Sequence, residues 1–310
     1  MAKRILNMTP KELTNLTKEE IISAIAGNEG RMLVSETIGI TIPLLTDVTN
    51  AEFAASMGAD MILLNMFDVQ EPEIMALPKV DTIDTVREVK RLTGRMIGIN
   101  LEPVDDALAS ENAETMWAMS SGRYATVENA VRAQKMGVDM IVLTGNPGNG
   151  VSNGAIISSL RAISEKIGDK IVLAAGKMHA AGVIGEGGEK IITKEDICQF
   201  AGAGADVILM PAPGTVPGIT TEYIRELVSY AHSLGKLTLT AIGTSQEGAD
   251  VDTIRRIAIE CKMTGTDIHH IGDSGYVGMA LPENIMAYSI AIRGIRHTYH
   301  RMAQSLERDA

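Results

Sequence analysis

Apolar residues along this chain gather into eight short runs, separated by stretches with helical periodicity. Four runs follow a Gly-x-Asp: Gly58-Ala59-Asp60 before Met61–Leu64, Gly137-Val138-Asp139 before Met140–Leu143, Gly204-Ala205-Asp206 before Val207–Met210, and Gly265-Thr266-Asp267 before Ile268–Ile271. The interleaved four follow a glycine and, within two residues, a base: Gly30-Arg31 before Met32–Ser35, Gly94-Arg95 before Met96–Ile99, Gly168-Asp169-Lys170 before Ile171–Ala174, and Gly235-Lys236 before Leu237–Ala241. Each glycine falls where a preceding helix would need a left-handed C-terminal cap. Eight strands, each preceded by a capped helix, predict a parallel βα array. Eight such units in 310 residues close naturally as an α/β fold of the (β/α)8 TIM-barrel type, with chemistry on the C-terminal rim of the strands.

The stretches between strands supply the helices. Asn50–Met57, Thr82–Thr93, Thr126–Met136, Gly154–Ile167, Lys194–Ala201, Thr220–Leu234 and Asp252–Thr264 are the predicted ones. A leading helix over Thr9–Ala26 carries Leu13, Leu16, Ile21, Ile22 and Ile25 and is expected to cover the N-terminal end of the barrel. A long final helix over Pro282–Arg308 places Ile285, Tyr288, Ile292, Ile295, Tyr299 and Met302 at helical spacing. Its excess length suits packing on the barrel or a homo-oligomer contact. With no linker composition anywhere, the chain reads as one domain: leading helix 1–29, barrel body 30–281, final helix 282–310.

Charge narrows the partners. A net charge of −11 argues against nucleic acid, which needs basic surface, but leaves room for a local pocket taking a small anionic metabolite. No secretion-signal core and no membrane-length apolar run stand out, and Cys198 and Cys261 have neither metal-ligand nor disulfide spacing. The expected setting is the cytoplasm. Methionine is abundant, at 18 residues; Met66, Met75, Met116 and Met119 are read mainly as adaptable core filler, with a pocket lining as the alternative.

Predicted loops after strands are much longer than those before them, which suits a binding face built on a rigid scaffold. In the third strand, alternation sends Ile97, Ile99 and Leu101 outward and Gly98, Asn100 and Glu102 inward. Glu102 is the strongest acidic candidate, since a carboxylate at such a place needs a cation, a metal or a hydrogen-bond network. Glu36 and Asp68, at the ends of the first two strands, would join it as oxygen ligands for Mg²⁺. Asp105 and Asp106 read as loop or cap residues. Above the small residues Ala174-Ala175-Gly176, Lys177 has room to point into the barrel. It would there form a Schiff base, clamp an anion, or neutralise Glu102. His179 is its acid/base companion. Of the adjacent pair His269-His270, only one can face the barrel.

Three glycine-rich turns look suited to an anion. After the fourth strand, Gly145-Asn146 opens a loop whose amides can approach a phosphate. After the seventh and eighth come Gly243-Thr244-Ser245 and Gly272-Asp273-Ser274-Gly275, at the ordinal positions where many barrels hold a phosphate. Asp273 would alternatively cap a helix or ligate metal. No nucleotide motif of the Gly-Lys-Ser/Thr kind is present.

The order of elements and the two late glycine turns resemble the phosphate-binding (β/α)8 barrels over nearly the whole chain. Thr144-Gly145-Asn146-Pro147 and His270-Ile271-Gly272-Asp273-Ser274-Gly275-Tyr276 further resemble a bacterial family labelled phosphoenolpyruvate phosphonomutase-like or haloacid-dehalogenase-like. The Asp-x-Asp-x-Thr nucleophile of dehalogenases is replaced here by Ser35-Glu36-Thr37-Ile38-Gly39, and the phosphonomutase acidic cluster has no match. The resemblance therefore implies a fold and a taste for phosphorylated carbonyl compounds. Three functions follow as expectations. The first is a lyase or isomerase acting on a phosphorylated or carboxylated carbonyl compound through an enolate or Schiff base. The second is a Mg²⁺-dependent hydrolase or phosphotransferase on the same rim, and the third a non-catalytic sugar-phosphate sensor.

Overall fold

A computed structural model describes residues 3–104, 119–145, 151–180, 185 and 187–309. Eight parallel strands hydrogen-bond in sequential order and close on themselves, β1 pairing with β8. They are β1 (Met32–Ile38), β2 (Met61–Asn65), β3 (Met96–Leu101), β4 (Met140–Leu143), β5 (Val172–Gly176), β6 (Val207–Pro211), β7 (Leu237–Ile242) and β8 (Ile268–Ile271). The helices are α1 (Pro10–Leu13), α2 (Lys18–Ala26), α3 (Asn50–Ser56), α4 (Thr85–Thr93), α5 (Val127–Met136), α6 (Asn153–Ile167), α7 (Lys194–Ala203), α8 (Thr221–Ser233), α9 (Val251–Thr264) and α10 (Pro282–Ala303). The protein is a (β/α)8 barrel, as the punctuation predicts. Of the eight cap glycines, Gly168 alone is right-handed (φ −62°); the others take positive φ.

Strand alternation divides the apolar residues into two layers. Met32, Val34, Met61, Leu63, Met96 and Met140 belong to an inner core that continues into Ile5, Leu13, Ile21 and Ile25 of the leading segment. Leu33, Ile62, Leu64, Ile97, Ile99 and Leu101 pack instead with the surrounding helices. The leading segment thus closes the N-terminal end of the barrel, as two helices rather than the one expected. Thr9–Glu12 and Thr17–Glu20 each form a reciprocal capping box, and the second box starts a new helix where the first has ended.

The Gly-x-Asp repeat has a mechanical meaning. Each aspartate opens an even strand and accepts the amide of the odd strand before it: Leu33 N to Asp60 (2.9 Å), Ile97 N to Asp139 (2.7 Å), Leu173 N to Asp206 (2.9 Å) and Thr238 N to Asp267 (2.8 Å). Each also meets a base: Asp60 with Arg293 (2.5 Å) and Arg301 (2.9 Å), Asp139 with Lys90 (2.7 Å), Asp206 with Lys18 (2.7 Å), and Asp267 with His232 (2.8 Å). At Asp60 burial alone would raise the carboxyl's pKa, but Arg293 and Arg301 hold it below the ordinary value.

The final helix departs from expectation. It ends at Ala303, short of Arg308, and breaks at Gly294 (φ 76°, ψ 165°). Arg293 reaches Asp60 and the carbonyl of Gly58 on one side of this break, and Arg301 reaches Asp60 on the other.

Asp60→Asn would leave two buried guanidiniums without their counter-charge and is expected to cost roughly 3–5 kcal/mol. Asp267→Asn keeps an acceptor for Thr238 and faces a partly exposed histidine, so about 1 kcal/mol is expected there. Urea unfolding of the two variants compares these costs; equal losses would refute the distinction.

Candidate active site

Where the inner layer reaches the C-terminal ends of the strands it turns from apolar to polar. Glu36 follows Val34 on β1, Asn65 follows Leu63 on β2, and Asn100 follows Gly98 on β3 with Glu102 just past its end; all four line a cavity of about 390 Å³. Thr144, Gly145, Met178, His179, Gly243 and Gly272 continue the wall. Three further residues arrive from rim loops: Arg123, Glu247 and Asp273.

Local backbone pairing explains their placement. The segment before α5 zips alongside the end of β3, with Glu102 N donating to Arg123 O (2.9 Å) and Ala125 N donating to Glu102 O (3.0 Å). That brings the Arg123 guanidinium onto the Glu102 carboxylate, where the two form an ion pair. After β7, Ser245 takes a left-handed conformation (φ 76°) and opens a short 3-10 turn, Gln246–Gly248. Asn284 Nδ2 binds the Glu247 carbonyl at 2.8 Å, and the Glu247 side chain lies over Gly272. A Cβ on Gly272 would meet Ile242 O at 2.7 Å, so the turn after β8 needs glycine there.

An amide chain then links the carboxylates. Asn100 Nδ2 donates to Glu36 Oε1 (2.7 Å) and to Asn65 Oδ1 (3.1 Å), and Asn65 Nδ2 donates to Asp273 Oδ2 (2.7 Å). Asp273 Oδ1 accepts the Gly275 amide at 2.8 Å. Beneath Glu36 lies buried His270, its Nε2 3.4 Å from Glu36 Oε2. His269 points the other way, to Tyr288 and Gly30 O, so one histidine of the pair faces the barrel as alternation requires. Burial lowers the His269 pKa to about 4.

These carboxylates are electrostatically crowded. Burial, with the charge of Glu36 next, raises the Asp273 carboxyl to about 7. Burial, and then Glu36, also raises Glu247 above its ordinary range. His179, on the same wall, is lowered by burial.

Several expected site residues take other places. Lys177 is buried but is not among the cavity-lining residues; Ala174 packs in the inner layer and Ala175 in the outer, and Lys177 shares the parity of Ala175. The Glu36–Asp68–Glu102 trio does not converge on the cavity. Glu36 and Glu102 line it, whereas Asp68 lies outside and accepts the amides of Gln70 (2.7 Å) and Glu71 (3.0 Å) in its own turn. Among the described residues, no three His, Cys, Asp or Glu side chains form a group able to hold a metal ion.

The late turns are built as turns with some of their donors engaged, while the buried Ser274 Oγ has no partner among the described residues. The Gly275 amide serves Asp273, and Thr244 Oγ1 donates to Thr215 O at 2.8 Å. Gly243 packs against Met178, and Gly145 lies against Val151 and Glu102. Asn146, Asp105, Asp106 and Met116 lie outside the described residues. Of the other methionines singled out, Met66 lines the cavity, Met75 is exposed and Met119 is half-buried.

A family model matches residues 6–308. The chain belongs to the family Domain of unknown function (DUF7916). That match carries neither the phosphonomutase-like nor the dehalogenase-like label. No curated protein matches the DUF7916 chain in sequence. Among solved structures it is similar to the carboxyl transferase domain of Rhizobium etli pyruvate carboxylase with pyruvate, at 13% identity and TM-score 0.54, covering 98% of this chain and 54% of that one. It is also similar to Rhizobium etli pyruvate carboxylase crystallised without acetyl coenzyme-A, at 12% identity and TM-score 0.53, covering 96% of this chain and 31% of that one. The DUF7916 chain thus spans about half of the first of these structures and about a third of the second. At such identities the likeness is one of fold. Among the described residues no helix is long and apolar enough to cross a membrane.

Asp273 also links the site to stability. With an ordinary value of 3.8 and about 7 in place, its folded form keeps a proton that the unfolded chain loses between those values. Folding stability therefore falls as pH rises through that window, and the full penalty applies above it. Asp273→Asn removes the penalty. The variant is expected to be more stable than the parent at about pH 8 by on the order of 2 kcal/mol, with no gain at about pH 4. Chemical unfolding at the two pH values checks this, and a variant less stable at the higher pH would contradict it.

Proposed function

We propose that this DUF7916 barrel is an enzyme that moves protons at a carbon next to a carbonyl, an isomerase or lyase working through an enolate. Asp273 carries the reading. Its carboxyl lies on the cavity wall, is fixed by Asn65 and the Gly275 amide, and has a pKa of about 7. A base whose pKa sits near the working pH combines a large deprotonated fraction with useful proton affinity. Glu36, joined to Asp273 through Asn100 and Asn65, offers a second carboxylate in the same network. Arg123, on the β3 side, is the cation suited to face a developing enolate oxygen.

The alternatives fit these residues less well. A Schiff base would need a lysine at the cavity, and Lys177 is not among the residues that line it. A phosphate handle at the turn after β8 would have to displace Asp273 from the Gly275 amide it accepts. The magnesium reading loses Asp68 to its turn. A sensor would need the same cavity without the proton transfer.

Hydrogen–deuterium exchange at the carbons next to the carbonyl of hydroxyacetone, followed by proton NMR in D2O, separates these readings. Exchange is expected to rise with pH through about 7 and to fall by about 10²–10⁴-fold in Asp273→Asn. Binding without exchange at any pH would favour the sensor.

A further inference from the structure

The cavity was expected to take an anion, yet its wall has the opposite character. Among the described residues four carboxylates line it, Glu36, Glu102, Glu247 and Asp273, against the single guanidinium of Arg123. Arg123 and Glu102 form an ion pair. That leaves the other three carboxylates on the side formed by β1 and the turns after β7 and β8. Close carboxylates in a poorly solvated place repel each other unless a proton or a cation is shared among them.

A second observation comes from hydrogen bonding. Asn100 Oδ1 and Glu247 Oε2 are buried acceptors of cavity-lining residues, and among the described residues neither has a hydrogen-bond partner. Both side chains are more than nine-tenths buried, at 8% and 5% exposure. Buried acceptors left unmatched are costly, and a ligand rich in donors would satisfy them. An ammonium is such a ligand, with three donors, no acceptor and a positive charge.

We infer that the substrate of this site carries an amino group, seated as an ammonium on the side of the cavity walled by Glu36, Glu247 and Asp273, with Asn100 Oδ1 among its acceptors. The inference rests on the proton-transfer reading above and names its substrate class: a small amine-bearing carbonyl compound, its carbonyl end toward Arg123. An ammonium reaches its acceptors one at a time at hydrogen-bond distance, so it does not require the tight convergence of three ligands that a metal ion does. It would also draw the crowded carboxylates toward their charged forms.

Three ketones on one three-carbon frame test the charge directly: aminoacetone (cationic), hydroxyacetone (neutral) and pyruvate (anionic). Their dissociation constants are measured by calorimetry on the full chain at neutral pH. Aminoacetone is expected to bind at least about tenfold more tightly than hydroxyacetone, and pyruvate most weakly. Glu247→Gln should lower aminoacetone affinity about tenfold more than it lowers hydroxyacetone affinity. Asn100→Leu serves as the second variant, acting on the acceptor rather than the charge, and thermal unfolding verifies the fold of both. Equal affinities, a preference for pyruvate, or no binding of any of the three at millimolar concentration overturns the inference. The exchange measurement distinguishes this failure from that of the underlying reading. Exchange of hydroxyacetone without preference for aminoacetone keeps the proton-transfer chemistry and sinks the amine. Tight aminoacetone binding without exchange of any ketone does the reverse.

Discussion

Parallel strands cannot be joined by short hairpins, so a closed parallel barrel must set the relative height of neighbours by other means. Here one carboxylate does so four times. An aspartate at the foot of each even strand accepts an amide of the odd strand beside it, and each also meets a basic side chain. A strand that slipped by one residue would exchange its inner and outer faces. The clamp therefore protects more than the barrel's foot. The rise from Val34 to Glu36, or from Gly98 through Asn100 to Glu102, reaches the cavity only in the register that the clamp holds.

What could be read in advance follows from this. The repeated elements were visible, because a glycine precedes each strand and a Gly-x-Asp precedes every second one. So was the inward face of β3, since a strand's period of two sorts Asn100 and Glu102 from Ile99 and Leu101. The rim was harder. Arg123 meets Glu102 from 21 residues along the chain, through a segment that no periodicity announces. Glu247 reads in sequence as one acid in a polar loop; only the path of the turn after β7 lays it across Gly272. The glycines of that region were rightly seen as tight turns, but a turn's backbone does not reveal which group its amides will serve. Lys177 was placed by the small size of its neighbours, but it follows the end of β5 and is not among the residues that line the cavity, whereas His179 is.

The rim also shows how a small-residue turn can host an acid. An amide-lined turn favours any negative group nearby, whether it belongs to a ligand or to the chain itself. Once Asp273 supplies that group, with Glu247 beside it on the cavity wall, the same architecture that would welcome an anion becomes a wall that repels one. The amides of Asn65 and Asn100 lie between these acids, giving donors to carboxylates that lack a full set of cations. A small number of neutral side chains thus allows several like charges to share one cavity, at a cost in stability that the barrel beneath absorbs.

The base of the barrel has a consequence for the order of events in folding. Asp60 is completed by Arg293 and Arg301, and Arg301 in turn donates to the carbonyls of Ile5 and Met8. Those contacts span up to 296 residues of chain. A chain emerging from the ribosome makes the first clamp's aspartate early and its arginines very late, so β1 and β2 wait with a charge that has no partner. The break at Gly294 then lets the last helix deliver both guanidiniums at once. In this molecule the final helix acts as the latch of assembly, and the first strand pair gains its full hold only when the last element docks.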